Sequence, residues 1–190
     1  MSFFARHTFC LLSTSVFVLF LVLVLLACNT SLEKCLGSSA QVTYPENQQG
    51  AISAYFNLPG SPNPRYALAG ALTSNPFKQF AFFLLLSLRP EPTILTAYGQ
   101  THQFGPATGL PAAAQHYFGL PVQHLSLGET LLLLDLAHNP ASPISDPAAA
   151  LVYRDSLLRK LYARQDITES QFAREQHKAL ALAADHRPSN

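Results

Sequence analysis

The sequence predicts a mainly α-helical domain that follows an amino-terminal transmembrane or signal helix. Three observations support this class. Arg6 precedes an apolar run from Leu11 to Ala27 that no charge interrupts. Beyond this run, apolar residues recur at helical spacing behind the residue types that start helices. No stretch shows the strict alternation of apolar and polar residues that predicts a strand.

Length and charge limit the functions that fit. A chain of 190 residues has room for one domain and an appendage. Twelve basic and eleven acidic residues leave a formal charge of +1, which gives no electrostatic footprint for nucleic acid, so no nucleic-acid partner is predicted. Charged residues make up 12% of the chain and hydrophobic residues 48%, and much of this excess lies in the first thirty residues.

Cysteine and histidine usage predicts neither a disulfide framework nor a metal site. The three cysteines are Cys10, Cys28 and Cys35, and their spacing fits no zinc ligand set. The histidines lack a paired i, i+4 spacing and are expected in loops or on the surface. Those of the predicted domain are His102, His116, His124, His138 and His177. The domain is therefore expected to depend on packing alone, with no metal and no cofactor.

Residues 1–28 are predicted to be a signal anchor or a lipoprotein signal. The apolar run is long enough to span a bilayer, and Arg6 places the amino terminus in the cytoplasm and the domain on the far side. Leu25-Leu26-Ala27-Cys28 resembles the lipobox of bacterial lipoproteins, which makes Cys28 the candidate lipidation site. A cleaved signal peptide remains open. So does a buried helix in which Cys28 is a small apolar residue.

Residues 29–65 are predicted to be a linker, because they are polar and broken by Pro45, Pro59, Pro62 and Pro64. A short ordered piece is expected around Ala51–Leu58. The helical domain is predicted to span residues 66–185.

Start and stop signals predict the helices of this domain in order. Gly99–Pro111 is expected to be a loop and Asn139–Pro147 a proline-rich connection. The expected helices are Tyr66–Thr73, Phe77–Leu88 after Asn75-Pro76, Ile94–Tyr98 capped by Thr93, Pro111–Phe118, Leu127–Ala137 with a Ser126/Glu129 capping box, Pro147–Gln165, and a last helix from a Thr168/Gln171 capping box to about residue 184.

The helix Phe77–Leu88 is apolar on nearly every face after Gln79. It is too short to span a bilayer, which favours a central core helix. A membrane-dipping helix is the alternative.

Several short motifs occur in a recognisable order. They are Ile94-Leu95, Tyr98-Gly99-Gln100, His102-Gln103-Phe104-Gly105, Gly109 with Ala113-Ala114, Tyr117-Phe118-Gly119, Leu125-Ser126-Leu127-Gly128-Glu129, Asp146-Pro147, Tyr153-Arg154 and Asp166-Ile167-Thr168. This order resembles the carboxyl-terminal half of the peptidoglycan glycosyltransferase domain of family 51. The family occurs in bifunctional penicillin-binding proteins and in monofunctional biosynthetic transglycosylases.

The resemblance implies a lysozyme-like helical domain on the outer face of the bacterial inner membrane, where it polymerises lipid II into glycan strands. Family members can use a divalent cation, but no residues of this chain support one. The positions implied to bind substrate are Lys78 and Gln79 at the start of the core helix, with Tyr98 and Gln100 on the next. The chemistry needs a glutamate as general base.

The chain departs from the family pattern at the positions that carry the catalytic residues in the family. The membrane segment stands where a Glu-Asp pair is expected, and neither Glu33 nor Glu46 is followed by aspartate. Gln49-Gly50-Ala51-Ile52-Ser53 is at best a trace of the family's Gly-Gly-Ser segment. No general base is assigned from the sequence.

Three hypotheses follow. The first is a catalytically silent relic that binds lipid-linked glycan, a glycan strand or a cell-wall synthesis enzyme. The second is an active glycosyltransferase with a displaced acid, for which Glu129 and Glu91 are the candidates, although a capping box and a solvated turn explain these residues equally well. The third is a product of a larger gene without an independent role.

Overall fold

The computed structural model describes residues 19, 22–34, 36–37, 44, 46–139, 142, 144–180 and 182–183. It is mainly helical, as the sequence predicts. The helices are α1 (22–34), α2 (Glu46–Phe56), α3 (Pro64–Leu72), α4 (Pro76–Ser87), α5 (Glu91–Thr101), α6 (Leu110–Phe118), α7 (Leu127–Leu136), α8 (Pro147–Ala163) and α9 (Glu169–Gln176), with a 3-10 turn at Val122–His124.

Helix α7 is the centre of the main core. Every residue from Gly128 to Leu136 is buried, so the helix is covered on all sides by its neighbours. Helices α2 and α8 make its most extensive contacts. The predicted start is confirmed, because the Ser126 hydroxyl accepts from the Glu129 N–H and the Glu129 carboxylate accepts from the Ser126 N–H.

A second, smaller core joins α1, α3, α4 and the outer face of α5. Its buried residues include Leu32, Leu68, Phe82, Leu86 and Ile94. The predicted Asn75 cap of α4 is confirmed, since its side chain accepts from the N–H groups of the following turn. The two cores meet along α5, which supplies residues to both.

The predicted linker is wrong for its second half. Helix α2 begins at Glu46, five residues before the expected ordered piece. Ile52 and Tyr55 are buried in the main core, where α2 packs against α7. The Gln48 side chain is also buried and donates a hydrogen bond to the Val122 carbonyl. Tertiary contacts therefore hold as a helix a stretch whose composition is that of a linker.

Helix α5 is longer at both ends than predicted. It begins at Glu91, with Pro90 at the cap position and Pro92 in the first turn, so Thr93 is not the cap. Proline is tolerated in a first turn because its missing N–H would have no helical partner there. The helix continues through Gly99, where the buried Tyr44 ring lies so close that a Cβ would be 2.8 Å from its hydroxyl.

The expected absence of strands is also wrong, although narrowly. Within the predicted loop, Gln103–Phe104 (β1) and Ala107–Thr108 (β2) form an antiparallel pair. Gly105 turns the chain between them with a φ of 62°. The last helix is shorter than expected, since α9 ends at Gln176.

Most of the predicted membrane segment, residues 11–27, lies outside the described residues. Among the residues that are described, no helix is both long and apolar enough to cross a bilayer.

Candidate functional site

Lys78 and Gln79, two of the predicted substrate-binding residues, lie in the first turn of α4. Gln79 donates from its side chain to the Thr73 carbonyl at 2.8 Å and so closes the turn that precedes the helix. Lys78 is exposed and lines a cavity of about 300 Å³ between α1 and α4. Cys28 lines the same cavity and is only 5% exposed. Lipidation of Cys28 stays a prediction.

Tyr98, the third predicted binding residue, is fully buried in the main core. Its hydroxyl lies 2.6 Å from His138 Nε2, and its ring is stacked on His102 with centroids 4.6 Å apart. Gln100 is half-buried, and its carbonyl oxygen would lie 2.7 Å from a Cβ at Gly109. Tyr98 is therefore part of the main core and does not line the cavity that the exposed Lys78 lines.

The two candidate acids are both engaged. Glu129 is 5% exposed, and its carboxylate accepts from the Ser126 backbone N–H at 2.8 Å. Glu91 lies on the first turn of α5, where its carboxylate accepts from the Ser53 hydroxyl at 3.0 Å. Both contacts are structural, and the assignment of either residue as an acid stays a prediction.

Sequence reasoning missed a cluster of ionisable groups at the carboxyl end of α7. Asp135 is 8% exposed, accepts a hydrogen bond from the Tyr153 hydroxyl at 3.0 Å, and lies 3.4 Å from the Asn139 amide nitrogen. His138 follows one turn later and contacts the His102 ring, with centroids 5.2 Å apart. An aspartate inside a run of leucines is the sequence signal that could have indicated this cluster, since carboxylates are rarely buried without partners.

Burial sets the proton affinity of this cluster. It raises the pKa of Asp135, an effect that the Tyr153 and Asn139 hydrogen bonds partly oppose. It lowers the pKa of His138 to about 4, with the nearby His102 adding to the shift. His102 has its own pKa lowered by burial. Both histidines are therefore neutral near pH 7.

A larger cavity, of about 640 Å³, lies between α2, the start of α7 and α9. Glu175 is 3% exposed at its wall, accepts from the Gly128 N–H at 3.1 Å and pairs with Lys178 at 2.7 Å. Arg174 and Asp166 line the same cavity. Its charges are of both signs.

Arg154, in the matched Tyr153-Arg154 motif, is 2% exposed. Its guanidinium pairs with Asp155 at 2.8 Å and donates to the carbonyls of Gln176 and Lys178 at 3.1 and 2.5 Å. This arginine therefore holds the end of α9 against α8. Among the described residues, no group of three or more histidines, cysteines or carboxylates is arranged to hold a metal ion.

Comparison with known proteins finds similarity over part of the chain. Residues 88–162 match the family described as Transglycosylase. Penicillin-binding protein 1A of Aquifex aeolicus (strain VF5) is 36% identical over 83 residues, which are 43% of this chain and 11% of that protein. The crystal structure of penicillin-binding protein 1A from Haemophilus influenzae aligns with a TM-score of 0.40 and 18% identity, covering 64% of this chain and 17% of that one.

Proposed function

We propose, from the match of residues 88–162 to the family described as Transglycosylase, that the protein is a non-catalytic, peptidoglycan glycosyltransferase-like protein of cell-wall biogenesis. It binds glycan strands or lipid II and does not polymerise them. It is tethered to the bacterial inner membrane by residues 1–28 and faces the periplasm or the cell exterior.

The observation that carries this proposal is that every carboxylate between residues 88 and 162 contacts another group of the protein. That segment contains five, and each already has a structural partner. Glu91 accepts from Ser53, Glu129 closes a capping box, Asp135 accepts from Tyr153, Asp146 caps α8 and Asp155 pairs with Arg154. A general base must reach the proton that it removes, and the contacts of Glu91 and Glu129, the two predicted acids, direct these carboxylates to Ser53 and to the start of α7.

Sedimentation with purified, insoluble peptidoglycan tests the binding half of the proposal. The full chain in detergent is expected to pellet with the glycan, and the heat-unfolded chain serves as the control. Recovery of the folded chain in the supernatant at every glycan concentration would contradict binding.

The outer face of α4 supports a position against the membrane. Phe77, Phe80, Leu84 and Leu88 lie on one side of this helix and are 83%, 63%, 43% and 82% exposed. An exposed apolar stripe of this kind is typical of a surface that contacts lipid or another protein. With the apolar segment 11–27 on the same chain, we assign this face to the bilayer surface.

Single tryptophans test this placement, because the chain has none of its own. In the full chain reconstituted into vesicles, Phe80→Trp is expected to be quenched by brominated lipid. Tyr162→Trp, at an exposed site on α8, is the matched control and is expected to be quenched by aqueous iodide instead. Equal quenching of both by iodide would contradict the placement of α4.

The alternative of an active enzyme with Glu129 or Glu91 as acid makes a different prediction. If the chain polymerises lipid II, Glu129→Gln or Glu91→Gln must abolish that activity. Full activity in both variants would eliminate this alternative.

A further inference from the structure

A cavity of about 220 Å³ opens at the carboxyl end of α7, and its lining includes none of the residues that the sequence predicts to bind substrate, although His138 in that lining contacts Tyr98. Three elements enclose it, namely the connection between α2 and α3, the end of α7 and one face of α8. Its polar and aromatic lining includes Tyr55, Asp135, His138, Asn139, Tyr153 and Lys160.

Asp135, at the wall of this cavity, keeps acceptor capacity beyond its contacts within the protein. Tyr153 donates to one carboxylate oxygen of Asp135, and the Asn139 amide lies 3.4 Å from the other. The Ser142 side chain also favours the charged carboxylate, and the two oxygens have about four acceptor lone pairs, so the carboxylate can accept a further hydrogen bond. Among the described residues no cation lies within ion-pair distance of Asp135, since Lys160 acts on it only through space. The carboxylate is thus able to receive hydroxyl donors from a ligand.

The charges of the cavity select against ions of either sign. Asp135 repels an anion that enters, and its burial strengthens the effect because the local dielectric is low. Lys160 lies at the exposed rim and opposes the entry of a cation. A neutral ligand with several hydroxyl groups fits both constraints.

Aromatic and proline residues give the cavity a fixed shape. Tyr55 is 4% exposed and its ring lies nearly parallel to that of His138, at an interplanar angle of 10°. Pro59 and Pro62 flank Gly60, which has a φ of 90°, in the connection that forms one wall. Such a wall loses little conformational entropy when a ligand binds, because proline restricts the free chain as well.

We propose that this cavity binds one uncharged sugar unit of a glycan, with the Asp135 carboxylate and Asn139 side chain bonding its hydroxyl groups. The choice of a glycan rests on the proposed function, whereas the preference for a neutral polyol follows from the cavity itself. Its volume lies below the range of about 300 to 1,000 Å³ that holds drug-sized ligands, which limits the contents to a single ring.

Calorimetric titration of the full chain in detergent tests the site, with a soluble tetrasaccharide of N-acetylglucosamine as the probe. Asp135→Asn and Asn139→Ala are each expected to weaken binding, the first by about tenfold because a charge-assisted hydrogen bond becomes a neutral one. Tyr162→Phe and Arg159→Gln lie on the same helix outside the cavity and are expected to bind as the unaltered chain does. Glucuronic acid and choline, an anion and a cation, are expected not to bind.

The possible outcomes distinguish an error in the location of the binding site from an error in the proposed glycan binding. A loss of affinity confined to the two cavity variants supports the proposal. If the tetrasaccharide binds equally to the cavity variants and the controls, the site is wrong while glycan binding stands. If the tetrasaccharide does not bind and the chain also fails to pellet with peptidoglycan, both are overturned. Because Asn139 lies beyond the end of α7 and is only half-buried, Asn139→Ala decides the matter even if Asp135→Asn fails to fold.

Discussion

His138 contacts Tyr98, His102 and Tyr55 in the cluster at the end of α7. Its Nε2 lies 2.6 Å from the Tyr98 hydroxyl, and its ring packs between Tyr55 and His102. Asp135 lies one turn earlier on the same segment. Because burial disfavours the charged form of each group, it opposes a proton on His138 or His102 and favours a proton on Asp135.

Acid is therefore expected to destabilise the fold through His138. The pKa of His138 is lowered to about 4, so between pH 6.5 and about 4 the unfolded chain binds a proton that the folded chain does not. The free energy of unfolding must fall as the pH falls through this window. Asp135 has the opposite sign, because its raised pKa makes stability fall as the pH rises above the ordinary carboxyl value.

Urea unfolding as a function of pH isolates the histidine. His138→Gln keeps a polar partner for Tyr98 and is expected to flatten the decline between pH 6.5 and 4. His124→Gln, at an exposed histidine, should leave the decline unchanged. The same slope in both variants would contradict the role given to His138.

Gly128 is required by the arginine beside it. A Cβ at this position would lie 2.5 Å from Cδ and 2.8 Å from Cγ of Arg154, whose guanidinium is fixed by Asp155 and two carbonyls. We expect Gly128→Ala to lower the free energy of unfolding by about 1 to 3 kcal/mol, as overpacking does.

A second glycine-to-alanine substitution, at Gly70, is expected to change the free energy of unfolding in the opposite direction. Gly70 lies inside α3 with nothing within 4 Å of a Cβ, so Gly70→Ala is expected to stabilise the chain by about 0.5 to 1 kcal/mol. Chemical denaturation of both variants checks the pair. If Gly128→Ala and Gly70→Ala changed the free energy of unfolding equally, the Arg154 side chain must move to make room for the added methyl group.

At the scale of elements, α9 is attached to the start of the central helix. Glu175, buried on α9, accepts from the Gly128 N–H in the first turn of α7 and also pairs with Lys178. A carboxylate at a helix amino terminus is favoured by the helix dipole. Glu175→Gln is expected to cost about 1 to 2 kcal/mol, because a charge-assisted contact in a buried site is lost.

Glu169→Gln serves as the control for this prediction, since Glu169 is exposed on the same helix. Urea denaturation should show a much smaller loss for it. If the two substitutions cost the same, the contact between Glu175 and α7 does not stabilise the fold.

The elements that the sequence predicts are those with local signals. Helices α4, α7, α8 and α9 each begin at a residue whose side chain accepts a hydrogen bond from the first turn. The start of each helix can therefore be predicted from about four consecutive residues. Helix α2 has no such signal. Its polar first turn is ordered by contacts with α7 and by the Gln48 bond to Val122, which lies 74 residues away.

The candidate site lacks such local signals. Asp135 and His138 are close in sequence, but Tyr98 and Tyr55 come from separate helices. No spacing of residues in the sequence indicates that these four side chains lie together. The predicted binding residues Lys78 and Tyr98 were placed together by family resemblance. In this fold Lys78 is exposed on α4, a helix of the second core, whereas Tyr98 is buried in the main core beside α2 and the end of α7.

At the scale of the whole molecule, residues 88–162 match the family described as Transglycosylase and include the central helix α7, and a second core is formed by α1, α3, α4 and part of α5. It covers 11% of the length of the Aquifex relative that it matches. Each of the five carboxylates in the matched segment has a contact within the protein. We therefore infer that the scaffold binds glycan and does not extend it.

Incubation of the full chain with labelled lipid II tests this most directly, with products separated by length. We predict no glycan longer than the starting disaccharide unit above a protein-free control. The appearance of elongated strands that depend on the protein would contradict a non-catalytic role.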